Sequence, residues 1–402
     1  MSFLLRAAPN TEYRQSVDGQ RWMNITTVDK LADLDTDLRA MAARIDEEPA
    51  LALILASGGI DQELAGAALD NLVPGLPTIG CTTAGVLSSS GDVAAAVQYI
   101  VLGGPGFSAT VGASSYEPHG CRAAGSRLGS AVAQPTRSDE NAAFMMLCDG
   151  IEGDAAEVIR GAYSISGANC SIVGGCAGDD LAMSKTSQFA DGTILSGGVV
   201  GAFLTSDAPI GIGVAHGWTK VGEPMIVTAS EGTSVLSLDD RPATEAYLEL
   251  VDEGQVFSDS AEFARFAQTR PLGIHAQSEQ VRFVTGSDLK RQTLEFLVHI
   301  PEGQMVWVMK GDTDSVVSAT TTAAERAISQ LGPNPPLGVI GFDCVARRGV
   351  LGNAGIRSEV DALSSALPST TPIGGFYTYG EIARTGGALG LHHQTMVLLA
   401  FA

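Results

Sequence analysis

The C-terminal part of the chain concentrates side chains that can bind a small molecule. Tyr377, Tyr379 and Glu381 belong to the glycine-rich segment "PIGGFYTYGEIA" (372–383), and His392 and Gln394 follow after a short connection. Their phenol, carboxyl, imidazole and amide groups offer both donors and acceptors of hydrogen bonds. If the two segments lie side by side, we expect these five side chains to form one wall of a ligand pocket.

A structural interpretation of the same side chains stays open. The tyrosines would then pack in the core, and Glu381 would pair with His392 to fix the C-terminus. Alternation along a single final strand, "QTMVLLAFA" (394–402), predicts His392, Gln394 and Met396 on one face and His393 on the other.

A second candidate group, Cys81, Thr82 and Thr83, stands at the end of an apolar strand in "IGCTTAG" (79–85). A thiol at such a junction suggests a nucleophile, because backbone amide dipoles can activate it. The histidine nearest in sequence is His119, so no general base is evident, and a ligand-lining or structural thiol is favoured. The alternative is a cysteine- or carboxylate-dependent enzyme centred on Cys81 or Glu381.

Evidence for a metal or haem site is weak in the sequence itself. His216, in "GVAHGW" (213–218), ends a strand beside Trp218, where a structural cap is favoured over a ligand contact. There is no C-x-x-C-H attachment motif, so spacing selects none of the six histidines as a haem ligand. The adjacent Asp179 and Asp180 lack further spaced oxygen ligands and predict local capping. We therefore predict no metal site.

Composition excludes several classes of partner. The 402 residues include 45 acidic and 24 basic ones, a net charge of −21 that repels nucleic-acid phosphates and anionic membranes. No run approaches the roughly 20 apolar residues of a membrane span, and the N-terminus lacks a signal-peptide pattern, so we expect a cytoplasmic protein. The six cysteines form no C-x-x-C pair, which favours free thiols.

The elements that must position the candidate groups recur along the chain. A strand, a helix and a glycine-broken segment follow one another three times, ending in "PTIGCTTAG" (77–85), "SIVGGCAGD" (171–179) and "PIGGFYTYG" (372–380). Each copy predicts a buried strand that turns at a glycine and displays side chains at the end of a sheet, where ligands of α/β proteins bind. "GGPG" (103–106) predicts a hairpin turn between its flanking strands.

These patterns predict a mixed α/β fold with two sheet-rich domains of repeated strand–helix–strand units. We expect an N-terminal extension (1–30), an N-terminal domain (31–230) and a C-terminal domain (231–402). The ligand site would lie mainly in the C-terminal domain, with Cys81, Thr82 and Thr83 facing the same crevice.

An ordered set of motifs resembles the FIST family in both its N- and C-terminal domains. The N-terminal motifs are "IGCTTAG", "GGCAGDDL" and "FADGTILSGGVVGAFL", and the C-terminal ones are "LDDRPATEAYLEL", "RPLGI", "GFDCVARRGVLG", "GFYTYGEIA" and "LHHQT". The resemblance runs from about residue 30 to the end. The family commonly has His-Asn-Gln-Thr where this chain has His392-His393-Gln394-Thr395, so His393 replaces an amide.

The resemblance implies a bacterial sensory module of signal transduction, without catalytic residues, that binds a small ligand. Some members are haem proteins that sense nitric oxide, which makes haem a candidate cofactor and His392 and His216 its candidate axial ligands. It also implies a separate signalling partner, such as a two-component histidine kinase or a cyclic-di-GMP enzyme. A homo-oligomer is compatible with this picture.

Overall fold

The computed structural model describes residues 20–45, 48–57, 60–89, 91–93, 97–133, 141–251, 256–274, 280–385 and 390–402. The α-helices within these ranges are α1 (Leu34–Ala42), α2 (Gln62–Asp70), α3 (Cys121–Val132), α4 (Ala155–Ser166), α5 (Ala243–Val251), α6 (Ser260–Ala267), α7 (Thr313–Ser329) and α8 (Val345–Ala366). The predicted N-terminal extension lies mostly outside the described residues.

The strands fall into three successive units and one insertion. The first unit contains β1 (Trp22–Val28), β2 (Pro49–Ser57), β3 (Thr78–Thr83), β4 (Val86–Ser88), β5 (Gly91–Val93) and β6 (Val97–Gly103). The second contains β7 (Phe107–Ser115), β8 (Asn141–Cys148), β9 (Ser171–Cys176), β10 (Gln188–Ala190), β11 (Thr193–Leu195) and β12 (Gly198–Ser206).

The third unit begins with β13 (Ile210–Ala215) and then accepts the insertion. The inserted strands are β14 (Thr219–Glu231), β15 (Ser234–Leu238), β16 (Arg241–Pro242), β17 (Leu272–Ile274), β18 (Gln280–Arg282), β19 (Val284–Asp288), β20 (Thr293–Phe296) and β21 (Met305–Lys310). The unit resumes with β22 (Gly338–Cys344), β23 (Ile373–Thr378), β24 (Glu381–Arg384), β25 (Leu391–His392) and β26 (Met396–Phe401).

The three units share one topology. In each, two parallel strands are joined by a helix (β2–β3, β8–β9 and β22–β23), and a long return strand (β6, β12 or β26) pairs antiparallel with the first of them. The strand that opens each unit then covers the outer edge of the return strand. The predicted α/β class and its repeated strand–helix–strand units are confirmed.

Each unit donates its small hairpin to the sheet of another unit. Hairpin β4–β5 pairs with β23, β10–β11 with β3, and β24–β25 with β9. The exchange forms a closed cycle that produces three six-stranded sheets. Because a strand needs its neighbours' hydrogen bonds, no sheet is complete without a second unit.

The three sheets enclose a common core. Along β2, Leu53 and Leu55 point into it, while Ala52 and Ile54 pack against the helices outside. The first parallel strand of each unit is therefore buried on both faces, which explains the continuous apolar runs of the sequence. Helices α1 and α2 cover the first sheet, α3 and α4 the second, and α7 and α8 the third.

The insertion forms a separate eight-stranded sheet with its own core. Helices α5 and α6 pack against this sheet, and their shared core includes the aromatic rings of Tyr247 and Phe263, whose centroids are 5.9 Å apart. Its first and last strands are paired, with Thr219 opposite Lys310. The insertion thus leaves and re-enters the third unit at one point. The domain boundary predicted near residue 230 falls within β14.

Two local predictions are wrong. "GGPG" does not make a hairpin: β6 pairs in the first sheet and β7 in the second, so this turn connects two units. The alternation predicted from the final strand (394–402) back to His392 also fails: β26 confirms that strand, but His392 lies in β25, which belongs to the second sheet, whereas β26 belongs to the third. Gln394, at φ 52°, lies where the chain crosses between them. Among the described helices, none has the length and apolarity that a membrane crossing requires.

Candidate functional site

The three glycine-broken segments meet where the units exchange hairpins. Gly80, Gly174 and Gly375 occupy equivalent places, each opposite a residue of the neighbouring parallel strand. A Cβ added at Gly174 or Gly375 would lie 1.9 or 2.0 Å from a backbone oxygen of that strand. Only glycine fits there, which accounts for its recurrence in the sequence.

Backbone hydrogen bonds link the three segments in a ring. Ala84 N donates to Tyr377 O, Gly178 N to Thr82 O and Tyr379 N to Cys176 O, at 3.1, 3.0 and 3.1 Å. A second set repeats the order: Tyr377 N donates to Gly85 O, Thr82 N to Ser187 O and Cys176 N to Gly380 O. The ring shows that Gly85, Ser187 and Gly380 are equivalent, and that the second unit carries extra residues before Ser187.

These extra residues, 179–186, form a loop that we call the second-unit loop. Asp180, Leu181 and Met183 have positive φ angles of 59°, 64° and 49°, a conformation that is uncommon outside glycine. The large apolar side chains of Leu181 and Met183 are nevertheless exposed, to 62% and 50%. A strained loop that displays apolar side chains is characteristic of binding segments.

Tyr379 holds this loop in place. Its hydroxyl donates to Asp179 Oδ1 at 2.5 Å and accepts from Leu181 N at 2.7 Å. The Asp179 carboxylate also accepts from the backbone N–H groups of Met183, Ser184 and Lys185. Burial opposes the ionisation of Asp179, but these hydrogen bonds outweigh it and hold its pKa at about 2.

A cavity of about 580 Å³ lies beneath the loop, at the carboxyl ends of β8 and β22. Its floor comes from the third unit and includes the buried side chains of Cys344, Tyr379 and His393. Parallel strands of α/β proteins present ligands at this end.

Apolar side chains predominate on the rim of the cavity, and they come from two other parts of the chain. The second-unit loop contributes Leu181 and Met183, and the insertion contributes Phe283 and Leu297. Leu297 is 43% exposed. The cavity is therefore enclosed by three separate structural parts.

His393 is the distinctive polar group of the floor. Its side chain is 2% exposed, and its Nδ1 has no hydrogen-bond partner within the described part of the chain. Burial lowers the pKa of His393 well below its usual value, and the positive charge of Arg282 lowers it further. The imidazole is therefore neutral at physiological pH and can either donate or accept one hydrogen bond.

Two guanidinium groups lie close to the floor. Arg348 lines the cavity, donates to the backbone oxygen of Ala84 and stands over the Tyr377 ring, 4.7 Å from its centroid. Arg282 is buried and donates to Leu391 O, two residues before His393. Burial lowers the pKa of Arg282 to about 10, so it remains charged at neutral pH.

The C-terminal candidates occupy different places. Tyr379 lines the cavity, whereas Tyr377 is fully buried below it. The carboxyl group of Glu381 accepts from Thr378 Oγ1 at 2.5 Å and from Thr395 N at 3.1 Å. Burial raises the pKa of Glu381 to about 8, against the effect of these hydrogen bonds. Glu381 does not reach the cavity wall.

His392 and Gln394 are fixed by backbone contacts. His392 Nε2 lies 3.0 Å from Ala383 O, and burial lowers the pKa of His392 to about 4. Gln394 Nε2 donates to Gln268 O at 2.7 Å, which joins the floor to the insertion. Glu381 and His392 are opposite each other in the β24–β25 pair, but each side chain bonds elsewhere.

The remaining candidates lie away from the cavity wall. Cys81 is buried in β3, where burial raises the pKa of its thiol well above the usual value. Thr82 Oγ1 accepts from Ser187 N, and Thr83 Oγ1 accepts from Gly85 N, so both hydroxyls stabilise the ring of segments. His216 Nδ1 accepts from Trp218 N at 3.0 Å at the end of β13.

Sequence reasoning missed most of the cavity. It put His393 on the opposite face from the ligand, and it gave no role to Arg348, Cys344 or the insertion. The eight additional residues of the middle repeat, with Leu181 and Met183 among polar neighbours, were the available signal for the loop.

Comparison with known proteins gives a consistent family match. The FIST N domain model matches residues 50–241, and the FIST C domain model matches residues 243–384. An uncharacterized protein of Mycobacterium tuberculosis is 26% identical over 236 residues, which are 57% of this chain and 60% of the relative. An uncharacterized protein of Mycobacterium bovis is 25% identical over 235 residues, with the same two shares.

A more distant relative is archaeal. An uncharacterized protein of Methanocaldococcus jannaschii is 28% identical over 169 residues, 39% of this chain and 32% of its own length. The chain thus spans about 60% of the length of the mycobacterial relatives and a third of the archaeal one.

Proposed function

The chain belongs to the FIST family, whose domains are sensory domains of signal transduction, and we propose that it binds a small ligand in the cavity beneath the second-unit loop. One observation carries this proposal: a largely apolar cavity of about 580 Å³ contains a buried imidazole whose Nδ1 lacks a partner among the described residues. Ligand sites are typically apolar clefts of roughly 300–1,000 Å³ with a few convergent polar groups.

The position of the cavity suggests how binding is transmitted. Its walls come from the second unit, the third unit and the insertion, so a ligand touches all three. A ligand shifts a conformational equilibrium only by its different affinity for the two states. We infer that the ligand favours one arrangement of the insertion and the second-unit loop against the third unit. A separate histidine kinase or cyclic-di-GMP enzyme would read that arrangement.

Thermal unfolding of the full chain with a panel of metabolites tests the proposal. A true ligand raises the unfolding midpoint with the logarithm of its concentration once that exceeds the dissociation constant, because it binds the folded state. The rise should disappear in Leu181→Asp, which places a charge in the cavity wall while aspartate tolerates the positive φ of this position. Leu64→Asp, at an exposed leucine of α2, is the matched control. No rise with any compound, or equal rises in both variants, would contradict the proposal.

Haem is a candidate cofactor because some family members contain it. An axial histidine must present a ring nitrogen to an apolar cavity. His392 and His216 do not line the cavity, and His392 Nε2 and His216 Nδ1 contact backbone groups. These two residues therefore do not fit a haem at this place. His393 does line it, so a Soret band lost in His393→Leu but kept in His392→Leu would support haem there.

The enzymatic alternative has less support. The Cys81 thiol and the Glu381 carboxyl are buried and lie outside the cavity wall, and burial raises the pKa of both groups. An activated thiol needs a lowered pKa, and either group would need an access path for the substrate. We expect Cys81 to resist iodoacetamide in the folded protein, and rapid stoichiometric alkylation at neutral pH would revive the enzymatic hypothesis.

A further inference from the structure

We propose that the ligand of this cavity is a carboxylic acid with an extended apolar body, bound with its carboxylate at His393 and its body under the second-unit loop. This inference rests on the proposed function and adds the chemical class of the ligand.

The rim explains the apolar body. Leu181, Met183 and Leu297 surround the mouth and are 62%, 50% and 43% exposed. They come from two distant parts of the chain, the second-unit loop and the insertion, yet they face one opening. An apolar group placed there removes all three from water at once, which is the main source of affinity for such a ligand.

A buried cation without an ion pair explains the negative head group. Arg282 is 7% exposed and donates to three neutral oxygens, those of Val281, Leu391 and Gln280. No salt bridge includes it within the described ranges, and Asp154 attracts it without forming one. A buried charge of this kind is costly unless an opposite charge approaches. Its field reaches the floor of the cavity, where it disfavours protonation of His393.

The groups on the wall itself agree with an anion. Neutral His393 can donate one hydrogen bond to a carboxylate oxygen, and Arg348 adds a second positive charge to the lining.

Acidic groups near the site do not reverse this field. Asp180 lies on the exposed rim, where water screens its charge. Behind the floor, Asp343 and Glu359 face the buried Arg347. Glu381 holds its proton at neutral pH because burial raises its pKa to about 8. The floor therefore offers positive potential in a protein whose net charge is −21.

The test compares head groups on one chain length in the wild-type full chain, by calorimetric titration at low ionic strength. The probes are decanoate, 1-decanol and decyltrimethylammonium. We expect decanoate to bind about tenfold or more tightly than decanol, and the cation to bind most weakly. Shortening decanoate to octanoate and hexanoate should weaken binding by about fourfold per methylene group.

Variants test whether the positive charge of Arg348, and not a change in folding, causes the preference for decanoate. Arg348→Met should remove the preference for decanoate over decanol, whereas Arg348→Lys should keep most of it. Arg39→Met removes the same charge from an exposed position of α1 and should change nothing. His393→Leu should weaken decanoate and spare decanol.

Equal affinity for decanoate and decanol, tighter binding of the cation, or no binding of any probe would overturn the inference. The inference would also be overturned if a non-acidic metabolite gave a thermal shift that depends on Leu181. That result would leave the proposed sensory function intact. Failure of every compound in that broader panel would instead contradict the function itself.

Discussion

At the scale of single residues, the Tyr379 hydroxyl decides whether the second-unit loop stays closed. It bonds both the Asp179 carboxylate and Leu181 N, and a hydrogen bond to a charged group contributes about 1.5–3 kcal/mol. We expect Tyr379→Phe to release the loop while the core remains folded. Trypsin should then cleave after Lys185, which is exposed within the loop, several-fold faster than in the wild type.

Tyr99→Phe is the matched control for this experiment. The Tyr99 hydroxyl donates to Ala65 O at 3.1 Å beneath α2, so the same atom is removed from another buried tyrosine. Cleavage after Lys185 should not change. Equal cleavage rates in both variants would mean that Tyr379 does not hold the loop.

Glu381 makes stability depend on pH. Burial raises its folded-state pKa from 4.5 to about 8, so between these values the folded chain keeps a proton that the unfolded chain has released. This contribution to the unfolding free energy is complete below about pH 4.5 and is lost as pH rises to 8, by at most about 1.4 kcal/mol per pH unit. Glu381→Gln cannot titrate, so the stability of the variant relative to wild type should increase between pH 5 and 8.

Urea unfolding at several pH values measures this difference. Glu325→Gln, which makes the same replacement at an exposed position of α7, is the control. If the difference between Glu381→Gln and wild type were constant across this pH range, the folded Glu381 carboxyl group would already be ionised at pH 5.

At the scale of elements, the exchange of hairpins depends on glycine at one place in each unit. Gly375 has φ 145°, and a Cβ there would lie 2.0 Å from the backbone oxygen of Gly341. Neither strand can retreat, because β22 and β23 are each paired on both sides. Gly375→Ala should therefore lower the unfolding free energy by about 3 kcal/mol or more.

Gly66→Ala is the opposite case. Gly66 lies within α2, and the nearest atom to an added Cβ is 3.8 Å away. Alanine is the better helix former, so we expect a gain of about 0.5–1 kcal/mol in denaturant unfolding. A loss at Gly66 as large as that at Gly375 would refute the steric explanation.

The elements were predictable where burial or close backbone contact requires a recognisable sequence pattern. The run 51–56 is apolar throughout because β2 is covered on both faces, and the glycine-broken segments recur because their backbones approach a neighbouring strand. Hairpin exchange was not predictable, since short strands such as β4 and β10 carry no information about their partners. The direction of the His393 side chain was predicted incorrectly for a related reason. The alternation of side chains between two faces does not continue where the chain crosses from one sheet to another.

At the scale of the whole molecule, the cavity exists only where three parts meet. Tyr379 could be chosen from sequence because aromatic and glycine residues cluster around it. Phe283 and Leu297 could not, because each lies in a different segment of the insertion that has no distinctive local pattern.

The insertion should be separable from the three-unit core, and this gives the last prediction. Thr219 and Lys310 are paired neighbours, so an Asn-Gly turn in place of 220–309 closes the gap as a two-residue hairpin. The cycle of exchanged hairpins uses no strand from the removed segment. We expect the shortened chain to unfold cooperatively in urea, with lower stability because it loses contacts such as Gln394 to Gln268 O. It should no longer bind any compound that the full chain binds, because Phe283, Leu297 and Gln268 have left the cavity wall. A shortened chain without a cooperative transition would show that the core needs the insertion, and one that still binds would place the ligand elsewhere.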